Sequence, residues 1–125
     1  MKRDMELIRK LLLTIEENPR QLEVEGYDKN QVKYHALLLI EAGFLDGNVS
    51  DTLANTSVVP SFVSVNRLTW DGHEFLDNIR KEEVWNTIKT EFKDASISTV
   101  FSIGKQLTEN YAKKKLSSLL GEQLP

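Results

Sequence analysis

The chain has 125 residues, 40% of them hydrophobic and 28% charged, with 19 acidic and 16 basic side chains for a net charge of -3. That length suits one domain's worth of core, and the composition excludes a disordered tail or a collagen-like chain. The acidic balance disfavours a strongly basic nucleic-acid binder, and the absence of cysteine excludes disulfide frameworks, thiolate zinc sites and thiol nucleophiles.

Segment 4–17 is expected to be a helix, because Met5, Ile8, Leu11, Leu12 and Ile15 recur at helical spacing behind Asp4, a good N-cap. Asn18-Pro19 stops it, since proline disfavours helical geometry in the residue before it. The alternation Leu-Glu-Val-Glu over 22–25 predicts a short, half-exposed strand, broken at Gly26. Segment 28–42 carries the sharpest local signals. Asp28 and Gln31 form a capping-box pattern, Tyr27 and Val32 fit a hydrophobic staple, and Gly43 followed by Phe44 fits a Schellman ending.

Asp46-Gly47 reads as a turn, and 48–61 as polar and poor in helix formers. Residues 57–59 and 62–68 read as two strands of a long irregular hairpin, interrupted at Pro60-Ser61. Thr69 caps a helix reaching about Arg80. A further helix over 82–94 places Val84, Trp85, Ile88 and Phe92 on one face. A last helix, capped by Ser96 or Ser98, runs to about Leu120 with Ile97, Val100, Phe101, Gly104, Leu107 and Tyr111 as its apolar face. Trp70 and Trp85 are expected as core anchors. The longest apolar run, 36–40, falls far short of the roughly 18 residues of a membrane span. The first ten residues mix Lys2 and Arg3 with Asp4, Glu6, Arg9 and Lys10, which lacks the apolar core of a secretory signal; the expected location is the cytoplasm.

The order helix, short strand, helix, hairpin, helix is that of a winged-helix domain. Residues 32–45, with apolar positions at Val32, Ala36, Leu39 and Ala42 and an Ala-Gly-Phe-Leu ending, resemble the recognition helix of bacterial winged-helix regulators. The Arg-Leu-Thr-Trp-Asp-Gly-His-Glu-Phe-Leu run over 67–76 resembles the Leu-Thr-x-x-Gly passage that closes the wing. With the opening Met-Lys-Arg-Asp-Met-Glu-Leu-Ile-Arg, these runs make nearly the whole chain similar to a family of uncharacterised bacterial and phage-associated proteins, a domain of unknown function. The resemblance implies a winged-helix-like fold and a phage or mobile-element setting, and no activity. One departure bears on DNA docking: only residues 18–27 separate the first two helices, so the positioning helix of a helix-turn-helix is absent or reduced to a turn.

Two roles follow. Lys29 and Lys33 can reach phosphates, Asn30 can read a base edge, and Tyr34 and Arg67 flank them, which is the basis of a DNA-binding accessory regulator. Against it, residues 1–80 hold nine basic and thirteen acidic side chains, and 46–66 contain Asp46 and Asp51 but no Lys or Arg; phosphate neutralisation normally dominates DNA affinity. The favoured role is a protein-association module, with Tyr34 and Leu37 in a contact patch and Phe101, Gly104 and Tyr111 pairing with a second copy or folding back on the chain. The expected architecture is α+β: a winged-helix-like domain over 1–80 and a C-terminal helical extension over 81–125. No catalytic motif, cofactor, metal, membrane partner or small-molecule substrate is expected. Asp71, His73, Glu74 and Asp77 cluster in sequence, but Asp71 and His73 lie two apart and do not share a helix face. His35 is expected as a partly buried core histidine.

Overall fold

A computed structural model describes residues 1–121, which form five helices and a two-stranded antiparallel sheet. The elements are α1 (Met5–Glu17), α2 (Lys29–Glu41), β1 (Leu45–Ser50), β2 (Phe62–Leu68), α3 (Trp70–Ile79), α4 (Glu82–Glu91) and α5 (Ile97–Leu119). The chain divides into two compact units, one over residues 1–76 and one beginning at Asp77.

In the first unit, α1 starts where the Asp4 carboxylate accepts the backbone N–H groups of Glu6 and Leu7, and it ends at an extended Asn18 ahead of Pro19. Its Leu7, Ile8, Leu11, Leu12 and Ile15 are buried; each such side chain contributes about 1.5–3 kcal/mol of transfer free energy. The stripe packs on α2 and β2. Helix α2 has a full capping box between Asp28 and Gln31. At its far end Gly43 has φ +83, the Phe44 N–H donates to the Leu39 carbonyl and the Gly43 N–H to that of Ile40. These two bonds are the complete Schellman pair, and they require a residue tolerant of left-handed backbone.

Three sequence expectations are corrected here. Residues 22–25 are not a strand: Leu22 and Val24 do turn inward and Glu23 and Glu25 outward, but no partner strand lies beside them to supply a ladder. Residues 45–50, read as turn and loop, instead form β1. Leu45 pairs with Leu68 and Ser50 with Phe62, and a bulge between Asp46 and Gly47 absorbs the Asp-Gly step. Residues 57–59 are irregular, so the hairpin joins β1 to β2 through a long arm over 51–61. Sequence propensity at Asp46-Gly47 yields to pairing with the Val-rich β2.

Helix α3 is clamped to the end of α2. The Thr69 hydroxyl donates to the Gly43 carbonyl and accepts the Gly72 N–H, and the Thr69 N–H donates to the Phe44 carbonyl at 3.0 Å. Gly72 is buried, and a Cβ there would land on the Phe44 carbonyl oxygen. Phe75, one turn on, packs its ring 4.8 Å from that of Phe44. The Leu-Thr-x-x-Gly passage is thus a structural joint.

In the second unit Ile79, Val84, Trp85, Ile88 and Val100 are buried. Helix α4 stops at Glu91, earlier than expected, and leaves Phe92 exposed at its C-cap instead of on the buried face. Ser96 caps α5 by accepting the Thr99 N–H. The two tryptophans differ sharply: Trp85 is 1% exposed and Trp70 76% exposed. Trp70 is therefore not a core anchor, because it occupies the first turn of α3 on the side away from Gly72 and Phe75.

Candidate interaction surface

The first turn of α2 and the 51–61 arm meet. The Lys33 ammonium donates to the Ser61 carbonyl at 3.0 Å. Asn30 and Lys33 share with arm residues from Thr52 to Ser61 a cleft of about 360 Å³. Lys29 is exposed and faces a different cleft of about 440 Å³, walled by 21–27 and Val32. Tyr34 and Leu37 are half-buried, and the Tyr34 ring meets the His35 ring edge-on at 5.9 Å. Arg67 lies at the other end of β2, 3.6 Å from the Asp46 carboxylate, with its guanidinium also donating to the Leu68 carbonyl. The five residues considered for DNA contact are thus split: Asn30 and Lys33 share one cleft, Lys29 faces another, and Lys33 and Arg67 are engaged within the chain.

His35 is buried and has a structural assignment. Its Nε2 accepts the Asp4 N–H at 2.8 Å, and its Nδ1 lies 2.7 Å from the Gln31 carbonyl. Only the neutral ring protonated at Nδ1 satisfies both contacts. His73 is exposed, and among the described residues no three His, Asp or Glu side chains converge as metal ligands.

The arm is organised by polar bonds of its own. The Asp51 carboxylate accepts the Ser61 N–H and the Asn55 side-chain amide, both at 2.7 Å. Asn55 also donates to the Val59 carbonyl and accepts the Ser57 N–H, and the Thr52 N–H reaches the Ser61 hydroxyl. The backbone and amide donors hold the Asp51 carboxyl below its ordinary value. Because the folded value is lowered, this support is complete above the ordinary carboxylate range and is lost as pH falls through the folded value. Amide exchange at Thr52 and Ser61, followed on acidification, is expected to rise only below the ordinary carboxylate range. Asp51→Asn is expected to show the faster exchange already at neutral pH. Exchange indifferent to both changes would mean that Asp51 does not hold the arm.

While its backbone is tied, the arm turns large apolar side chains outward. Leu53 is 109% exposed and Val58 64%; at the base of the arm, Phe62, the first residue of β2, is 61% exposed, and Val49 on β1 is also exposed. Sequence reasoning missed these residues. Leu53 sits in a stretch that reads as polar loop, and strand alternation does not say which face of a lone ribbon is covered.

In the second unit Gly104 is buried: a Cβ there would lie 3.2 Å from Ile79 and 3.6 Å from Asn78. Phe101 is half-buried. Tyr111 has the Lys81 ammonium 4.5 Å above its ring, and its hydroxyl, hydrogen-bonded to the Glu83 carboxylate, is held above its ordinary value by that acceptor and its charge. On the α5 stripe, Gly104 and Tyr111 thus meet partners within their own unit.

Fold and surface together define an α+β protein of two compact units, the first carrying the two-stranded sheet and the 51–61 arm that joins its strands. The sequence profile of the DUF2513 family of hypothetical proteins matches residues 2–98. An uncharacterised protein of Haemophilus influenzae is 32% identical over 123 residues, covering 94% of this chain and all of the relative. The chain belongs to the DUF2513 family. No solved structure matches it. Among the described residues no helix is long and apolar enough to cross a membrane.

Proposed function

We propose that the chain is a winged-helix-like, non-enzymatic protein-association module of the bacterial cytoplasm, with the 51–61 arm as its docking element. The observation that carries this reading is the combination at the arm: a backbone pinned by Asp51 and Asn55, with Leu53 and Val58 held out into solvent beside the exposed Phe62 that opens β2. Water-exposed apolar groups on a preorganised loop lose little further entropy when a partner covers them. The similarity to phage-associated proteins noted in the sequence supports a mobile-element setting.

The DNA-binding alternative is supported by less. The first unit carries eight basic and twelve acidic side chains, and Lys33 and Arg67 are already engaged. A photo-crosslinking residue placed at 53 or at 62 in the native host is expected to give one reproducible adduct containing a second polypeptide. The same residue at Glu41, on exposed α2, is expected to give none. No adduct from the arm would overturn the association reading. Duplex binding at low ionic strength that weakens with salt and with Lys29→Ala would replace it with the DNA reading.

A further inference from the structure

Away from the arm and the neighbouring Phe62, the most exposed large side chains fall into two groups of opposite electrostatic character. Trp70, on the first turn of α3, is flanked by exposed Asp71, His73 and Glu74, with Glu74 one turn along on the same face. Thr69 and Gly72 are consumed by the clamp on Gly43 and Phe44, so the fold explains the Thr and the Gly of this run and leaves the Trp and the carboxylates outward. The other group is the second half of α5. Leu116, Leu119 and Leu120 form an exposed i, i+3, i+4 stripe beside Lys113, Lys114 and Lys115. Among the described residues, neither these lysines nor Asp71 and Glu74 form an ion pair within the chain. The charge is partitioned in the same way. Ile97–Leu119 holds four lysines and one glutamate, whereas residues 1–76 hold twelve acidic and eight basic side chains.

We infer that the α5 end of one chain docks on the Trp70 face of a second copy. An ammonium stacks on the open indole while Asp71 and Glu74 receive the neighbouring lysines, and the leucine stripe supplies apolar area beside them. The chain itself carries both halves of the complementary pair, which is why the occupant is a second copy and not an unrelated basic peptide. This contact does not use the arm; its leucines turn away from Tyr111, while Lys114 and Lys115 lie one turn beyond Tyr111 on the same side of α5.

Sedimentation velocity of the full chain tests it. The wild type is expected to self-associate at low ionic strength and to dissociate as salt rises. Lys113→Glu with Lys114→Glu and Lys115→Glu, or Asp71→Lys with Glu74→Lys, is expected to yield a monomer. An equimolar mixture of the two variants is expected to re-associate, because the inverted charges face one another. Trp70→Ala is expected to weaken association about tenfold or more; it and the lysine triple keep the test decisive if reversing charge at the start of α3 disturbs folding. Three results would each overturn the inference: a wild type that is monomeric at every concentration, a lysine triple that associates like wild type, or a folded pair of variants that fails to recover on mixing. A monomeric wild type that pelleted with anionic phospholipid vesicles would overturn it too, and would assign the lysine and leucine stripe to a lipid surface. Leu53→Asp with Phe62→Asp is expected to leave self-association unchanged, which separates this contact from the arm.

Discussion

Replacing Gly72 by Ala is expected to lower the thermal midpoint by on the order of 10 °C or more, corresponding to a loss of about 3 kcal/mol. The sign is the informative part. In an ordinary helix interior, Gly to Ala stabilises by about 1 kcal/mol. At this position the new Cβ would occupy the place of the Phe44 carbonyl oxygen and sit 3.0 Å from its carbon. The obstacle is backbone, and that carbonyl is held in place by the Thr69 N–H. The chain can accommodate the methyl only by moving α3 away from the end of α2, which opens the contact between Phe44 and Phe75 and breaks the Thr69 bonds. His73→Ala, an exposed change one residue along the same helix, is expected to stay within about 0.5 kcal/mol of wild type. A Gly72→Ala protein melting at or above the wild-type midpoint would show that the α2–α3 joint is not packed as described.

The second large effect separates the tryptophans. Trp85→Ala is expected to cost about 3–5 kcal/mol in denaturant unfolding, the range for truncating a buried aromatic. Trp70→Ala is expected to cost no more than about 0.5 kcal/mol. The basis is exposure, 1% for Trp85 and 76% for Trp70. Fluorescence gives an independent check. The emission lost in Trp70→Ala is expected to be the red-shifted part that acrylamide quenches, and the emission lost in Trp85→Ala the blue-shifted, protected part. Equal destabilisation by the two substitutions would contradict this assignment. If Trp70→Ala leaves stability intact and still weakens self-association, the indole acts at a surface and not in a core.

Much of the fold was legible wherever the determinants are local. Asp4, Asp28 with Gln31, and Ser96 each cap the helix expected of them, and Gly43 ends α2 with the bonds its sequence context announces. Caps and left-handed endings bond within about four residues, so the sequence window that encodes them contains both partners. The strands were less legible. The alternation at 22–25 is real in burial but produces no strand, and β1 runs through an Asp-Gly step that reads as a turn. A strand exists only by pairing, and the partner of Leu45 is Leu68, far along the chain.

The candidate surface shows the same division. The chemistry of Lys29, Asn30, Lys33 and Arg67 was readable from residue type, but their engagement was not: Lys33 bonds to Ser61 and Arg67 to Asp46 through the arm and the ribbon. Gly104 and Tyr111 stood on the apolar stripe of α5, and the fold gives them Ile79, Lys81 and Glu83 within their own unit.

By itself the amino-acid sequence determined the helices, their caps, the absence of thiol chemistry and the acidic character of the first seventy-six residues, because these depend on composition and on neighbours within a turn or two. Tertiary structure alone decided that Trp85 is covered and Trp70 is not, that Gly72 is a joint and not a weak helix residue, and that Leu53 and Val58 of the arm and the adjoining Phe62 face solvent. Hydrophobicity says that a side chain gains by being covered, but only the packing of distant elements settles which ones are.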